Sequence, residues 1–160
     1  MKFKISCLLF IKDESDRLLM IRRKKMPNHG LWSPPGGKLE MNTGESPVEC
    51  AQREAFEETR IELKDNDLKL FGYVSEKNYQ GNNHWLMFMF EVTPVLKYTP
   101  KPIDEGEFKF FYRSEINGLS IPPSDHQLVW PVYDKRNRGF WGLRADCSSF
   151  PPDLKIEVSP

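Results

Sequence analysis

The sequence predicts a mixed α+β domain: a helix with clear start signals near residue 46 stands between groups of alternating strands, and no repeat or low-complexity tract interrupts the pattern. A chain of 160 residues suits one core and is short for two. Residues 1–147 are therefore expected to form one domain. Residues 148–160, which hold Pro151, Pro152 and Pro160, are expected to follow as a proline-rich, poorly ordered tail.

Taken in order, Phe3, Ile5, Cys7, Leu9 and Ile11 alternate with Lys2, Lys4 and Ser6, which is strand periodicity. Asp13-Glu14-Ser15-Asp16 is a polar turn and residues 18–21 return as a second strand, so the two are expected to form a hairpin. Residues 27–37 are rich in Pro, Gly and Asn and read as a loop anchored by Leu31 and Trp32. Ser46-Pro47-Val48-Glu49 reads as a capping box with proline at the first helical position. Val48, Ala51, Ala55 and the Thr59 methyl then follow at helical spacing, which predicts a helix over 47–59 with one face packed inward. Residues 68–75 and 85–92 read as strands about a polar turn at 80–83. The second of them is apolar on both faces and so expected to be central. Residues 108–112 suggest a short strand, and 124–135 a second helix capped by Ser124.

Lys plus Arg and Asp plus Glu both number 23, so no global field draws the chain to nucleic acid or to an anionic membrane. Any charge-driven function must reside in local clusters. Cys7, Cys50 and Cys147 are odd in number and far apart, with neither metal-ligand spacing nor a disulfide framework, which fits a reducing cytosol. Met1-Lys2-Phe3-Lys4 lacks the apolar stretch of a signal peptide, and the apolar run at 85–90 is too short to span a bilayer. The expectation is a cytoplasmic protein.

One local cluster stands out. Arg53-Glu54-Ala55-Phe56-Glu57-Glu58 puts three carboxylates at i, i+3 and i+4, roughly 5–6 Å apart on one helix face. Such neighbours repel, and they occupy the half of the helix where the macrodipole disfavours negative charge. A divalent cation would relieve both, and oxygen-only ligands select Mg²⁺ or Mn²⁺. Alone, the pattern reads more readily as a solvated acidic face paired with Arg53 and Arg60. Upstream, Pro34-Pro35-Gly36-Gly37-Lys38 supplies paired glycines, which let a backbone group approach an ion or phosphate closely. Glu45, just before the helix cap, is positioned to meet Arg53.

Together, Gly37, Glu45 and Arg53-Glu54-Ala55-Phe56-Glu57-Glu58-Thr59-Arg60-Ile61 resemble the Nudix box, G-x5-E-x7-R-E-U-x-E-E-x-G-U with U aliphatic. The x7 spacing and R-E-U-x-E-E match. Seven residues rather than five separate Gly37 from Glu45, and Arg60 stands in the place of glycine. The resemblance implies a Nudix-type α/β/α sandwich with a mixed central sheet. It also implies a Mg²⁺- or Mn²⁺-dependent hydrolase that cleaves a nucleoside diphosphate linkage by attack of water on phosphorus. By the same resemblance, Glu54, Glu57 and Glu58 hold metal with the Gly37 carbonyl. Arg53 and Glu45 orient that set, and Glu54 or Glu57 serves as the base. The stretch Gly30-Leu31-Trp32-Ser33-Pro34-Pro35 resembles that preceding the box in MutT-like nucleoside triphosphate pyrophosphohydrolases, which release a nucleoside monophosphate and pyrophosphate. The alternatives are another Nudix branch, acting on a nucleotide sugar, ADP-ribose or a dinucleoside polyphosphate, and a non-catalytic nucleotide sensor. No proline lies about 16 residues past the box, where ADP-ribose hydrolases carry one.

For the rest of the substrate, Arg23 and Lys38 are the cations expected to face phosphates, and Phe10, Trp32, Tyr79 and Trp85 the aromatics expected to meet the base. Glu105 and Glu107 are the acids beyond the box expected to add a ligand. A small nucleotide is the expected partner, with no nucleic acid and no membrane. The habit of relatives adds a homodimer, for which the sequence identifies no patch.

Overall fold

The computed structural model describes residues 3–160; Met1 and Lys2, where the first strand pattern begins, lie outside it. Among the described residues nine strands form two sheets. In chain order they are β1 Phe3–Phe10, β2 Leu18–Arg23, β3 Trp32–Ser33, β4 Gly36–Lys38, β5 Leu68–Tyr79, β6 Asn83–Val92, β7 Gly106–Phe111, β8 Trp141–Asp146 and β9 Asp153–Val158. The larger sheet has the order β4-β1-β6-β5-β8-β9 and is mixed: β1 runs parallel to β6 and β5 parallel to β8, with the other pairs antiparallel. The smaller is β3-β2-β7. Helix α1 spans Pro47–Thr59, and α2 Arg113–Ile116, α3 Asp125–Leu128 and α4 Trp130–Asp134 are short.

Two apolar clusters explain the layering. On one side, Cys50, Ala51 and Ala55 of α1 lie against Cys7, Leu9, Phe90 and Val92, with Leu19, Ile21, Phe108 and Phe110 of the smaller sheet closing the core. Small residues on the helix let it approach β1 and β4 closely. On the other side, Trp130 and Tyr133 of α4 meet Phe10 and Phe71, with Tyr133 stacked on Phe10 at 4.9 Å between ring centroids. The result is the expected α+β sandwich with a mixed sheet between helical layers.

The start of α1 follows its sequence signals closely. Ser46 accepts from the Glu49 N–H at 3.1 Å, and the Glu49 carboxylate accepts from the Ser46 N–H at 3.3 Å. At the other end Arg60 caps the helix in the left-handed region, φ 66°, where its N–H donates to the Phe56 carbonyl. Its guanidinium lies 5.4 Å from the Phe56 ring centroid, a contact that offsets part of the backbone strain.

Three sequence expectations need correction. β1 and β2 do not form a hairpin. β4 and β6 already occupy both edges of β1, so β2 meets it only at the Lys12–Leu18 bridge and pairs instead with β3 and β7. The helix expected over 124–135 is two, because Pro131 has no N–H to continue the ladder and the chain turns at Val129. The segment from Ser148 onward is not a structureless tail: Asp153–Val158 pairs antiparallel with β8 as an edge strand.

Replacing Arg60 with glycine should raise the free energy of unfolding by about 0.5 kcal/mol or more, since removing the Cβ from a left-handed position outweighs the lost contact with Phe56. Urea denaturation followed by circular dichroism measures it, and a loss of stability would contradict the strain assigned to this cap.

Candidate functional site

Gly36 and Gly37 pair with Leu8 and Cys7 of β1, and each is glycine for its own reason. Gly36 has a φ of 149°, and a side chain there would overlap the Cys7 carbonyl. At Gly37 the space a Cβ would fill is taken by the Glu54 carboxylate. The glycine pair thus lets α1 lay an acid directly on the β4 backbone.

Arg53 organises the acids around it. Its Nε donates to Glu45 Oε1 at 2.7 Å and its Nη2 to Glu45 Oε2 at 3.0 Å, a bidentate pair. Nη1 reaches Glu54 at 2.9 Å and Glu57 at 3.2 Å, and Nη2 reaches the Lys38 carbonyl at 3.0 Å. Arg53 holds the Glu45 carboxyl below its ordinary range. Glu58 differs: it is 8% exposed, and its Oε2 has no hydrogen-bond partner among the described residues. Burial, reinforced by the neighbouring Glu54 charge, pushes its pKa up to about 9. Burial also raises Glu54 despite the arginine beside it.

These groups fit a hard cation. An orphaned, buried carboxylate oxygen, a second, partly buried acid laid against Gly37, and a set of donors that are all oxygen are what Mg²⁺ or Mn²⁺ requires. Among the described residues no three His, Cys, Asp or Glu side chains already converge around one ion-sized point. Arg53 instead balances the charge of Glu54 and of the half-exposed Glu57. The Gly37 carbonyl accepts from the Cys50 thiol at 3.5 Å. Cys50 in turn lies 3.3 Å from Cys7 as a free thiol, so two cysteines far apart in sequence meet beneath the site.

The acids open into a cavity of about 620 Å³. Arg53, Glu54, Glu57, Glu58, Gly37, Lys38, Arg23 and Tyr79 all line it. Arg23 is held by a hydrogen bond from its Nε to the Pro27 carbonyl, 2.7 Å, and the Tyr79 hydroxyl donates to Asn28 at 2.9 Å, so both secure the loop over the cavity mouth. Lys38 Nζ lies 5.7 Å from the Trp85 ring centroid. Glu45 stands behind Arg53, outside the lining. Trp32 and Glu107, expected at the substrate, are not brought there. Trp32 packs edge-on against Phe111 at 5.0 Å, and Glu107 points to solvent from β7 while Glu105, two residues earlier, lines the cavity.

Residues that sequence reasoning missed are Glu76, Asp125, Asn28 and the apolar floor residues Leu8 and Met87; Trp85, one of the expected aromatics, lies beside them, whereas Phe10 is buried in the core. Glu76 carried a signal, since it continues the inward alternation of Gly72 and Val74 and so is an acid at a core position. Asp125 carried none, lying beside Ser124 in what looked like ordinary helix-start chemistry.

Two testable consequences follow. Gly37→Ala should leave the fold intact by circular dichroism while displacing Glu54, with activity falling at least tenfold. Glu58 and Glu76, pushed up to about 9 and about 7 from 4.5, bind a proton more tightly folded than unfolded. Their contribution is complete below pH 4.5 and is lost as pH rises through those higher values. In metal-free buffer Tm should therefore fall from pH 5 to pH 9. Glu76→Gln should flatten the part below pH 7 and Glu58→Gln the part extending to pH 9.

Comparison with known proteins bears on this arrangement. The NUDIX domain model matches residues 2–130. An RNA pyrophosphohydrolase of Bartonella clarridgeiae is 27% identical over 139 residues, covering 76% of this chain and 79% of that protein. An ADP-ribose pyrophosphatase of Methanocaldococcus jannaschii is 27% identical over 129 residues, 81% of this chain and 72% of that one. The crystal structure of a MutT protein from Bacillus halodurans superposes with a TM-score of 0.74 at 24% identity, covering 98% of this chain and 99% of that chain. Among the described residues no helix is long and apolar enough to cross a membrane.

Proposed function

Because the chain belongs to the Nudix family and is a hydrolase of phosphorus anhydrides acting on nucleotide pyrophosphate linkages, we propose that it is a MutT-like nucleoside triphosphate pyrophosphohydrolase, releasing a nucleoside monophosphate and pyrophosphate. The observation that carries this reading is that the Arg53-held acids, the Lys38 and Arg23 cations and the buried acids Glu76 and Asp125 line one cavity.

Glu54, Glu58 and the Gly37 carbonyl are the proposed holders of a divalent cation, with Glu57 one turn along the helix as the further ligand. A bound cation of this kind neutralises phosphoryl charge and makes water a stronger nucleophile. The protein's own groups do the rest. Glu45 fixes Arg53, and Arg53 keeps the acids oriented while leaving their outer oxygens free. Glu57, with 55% of its side chain exposed at the cavity, is placed to take the proton from water; Glu54, 14% exposed, is the alternative base. Lys38 and Arg23 face the phosphate chain. The similarity to the ADP-ribose pyrophosphatase of Methanocaldococcus jannaschii favours one second reading, an ADP-ribose hydrolase.

Incubating the protein with Mg²⁺ and nucleoside triphosphates, nucleotide sugars, ADP-ribose and dinucleoside polyphosphates, then separating products by chromatography, tests this. Monophosphate plus pyrophosphate from a triphosphate is expected, abolished by chelator and reduced about a hundredfold or more in kcat/KM by Glu58→Gln. No turnover, or undiminished turnover in that variant, would overturn the reading.

A further inference from the structure

Strand β9 closes the larger sheet on one side, and among the described residues no strand pairs with its outer edge. All six of its residues are exposed. Leu154 and Ile156 pair with Ala145 and Leu143 of β8, which are buried in the core cluster that α4 covers, so all four stand on one face of the sheet. On β8 that face is covered. On β9 it is bare, with Leu154 39% and Ile156 58% exposed, and Val158 adds a third exposed apolar side chain. Edge strands are usually blunted by proline, by inward-pointing charge or by a bulge. β9 has the bulge alone: Leu143 pairs with Ile156 and Gly142 with Val158, which leaves Glu157 as the extra residue. Asp153 to Ile156 pair with β8 without interruption, and no proline lies in the strand.

The order of side chains along β9 specifies what fits against it. When two copies of an edge strand pair antiparallel about a two-fold axis normal to the sheet, each face continues into the same face of the other copy. Residues that meet must then be an even number of positions apart in sequence. Two such registers overlap most of the strand. With Lys155 on the axis, Lys155 meets its own copy and Asp153 meets Glu157, and both encounters are repulsive. With Ile156 on the axis, Ile156 meets Ile156, Leu154 meets Val158, and Lys155 meets Glu157 once on each side of the axis. Both charges are available for this. Lys155 has no ion-pair partner among the described residues, and Glu157 accepts from the Tyr73 hydroxyl at 3.3 Å through one oxygen only.

We propose that β9 is a homodimer interface, in which two copies pair their β9 strands antiparallel with Ile156 on the two-fold axis. The two larger sheets then join into one, and the apolar row Val74, Leu143, Ile156 continues across the junction. The occupant is a second copy of this chain because the charge order of the strand complements itself in that register. Six residues a side make a small contact, near or below the roughly 1,200 Å² that marks the low end of specific interfaces. The pairing is therefore reversible, with monomer dominant on dilution. No β9 residue lines the cavity, so the proposal stands apart from the hydrolase reading.

Sedimentation velocity over a series from micromolar to millimolar protein tests it. The apparent mass should rise from that of one 18.8 kDa chain towards twice that value. Lys155→Glu and Glu157→Lys should each weaken association about tenfold at low salt by setting like charges opposite each other. The variant carrying both changes should regain most of that loss, an outcome that non-specific apolar association would not give. Ile156→Cys should form an intermolecular disulfide under mild oxidation, because a residue on the axis faces its own copy. Leu154→Cys should not, since its copy lies about 14 Å away. A monomer at every concentration, equal cross-linking of the two cysteine variants, or no recovery in the double charge variant would overturn the proposal.

Discussion

A buried acid beside another acid is unstable unless something of opposite charge stands close, and in this protein that something is Arg53. Its fork is fully used: two bonds to Glu45, one each to Glu54 and Glu57, and one to the Lys38 carbonyl. Helix α1 is thereby tied through one side chain to the loop before it and to the β4 backbone. Lysine could not substitute, since a single ammonium has no planar fork to grip Glu45 with two parallel bonds. Glu58 is the member Arg53 does not reach, and its orphaned oxygen marks where the arginine's compensation ends.

Everything else positions that set. The close approach of α1 depends on Cys50, Ala51 and Ala55 facing the sheet and on two glycines across from them. The second sheet covers the same core through Leu19, Ile21, Phe108 and Phe110, leaving a cleft rather than a filled interface where the two sheets diverge. Trp85 and Met87 belong to a central strand yet remain half-buried because this cleft lies over them. A sequence apolar on both faces described the strand's place in the sheet and could not say that one face looks into a cavity.

That contrast explains what was readable beforehand. The capping box and the helix limits are local, so Ser46 and Glu49 are readable from spacing, which also puts the three glutamates on one face; that Arg53 and those acids form a site follows only from the resemblance to the family motif. Strand partners are not local. Whether β2 returns against β1 depends on β4 and β6 having taken its edges, which no turn signal at residues 13–16 encodes. Trp32 precedes the motif and Glu107 follows it at a distance, so only residue type suggests a role for either, whereas strand pairing and packing against Phe111 decide which way they point. Asp125 becomes a cavity residue through tertiary packing, since it opens α3 as a buried side chain beside the cavity, which its local sequence does not encode.

The two departures from the family motif have local solutions of the same kind. The loop between Gly37 and Glu45 is two residues longer, yet Glu45 still reaches Arg53 with both oxygens. The extra length is taken up in a 3-10 turn at Met41–Thr43 that closes on Gly44 in the left-handed region. Glu45 then accepts from the Glu40 N–H at 2.8 Å, so the loop is stapled at its base by the same carboxylate that holds the arginine. At the far end Arg60 adopts the conformation that glycine would adopt without strain, and helix α1 stops where a glycine would stop it. In both places the local backbone still brings the functional side chains into position. The constraint lies in where Glu45, Arg53 and Glu58 must be, not in the length or identity of the segments between them.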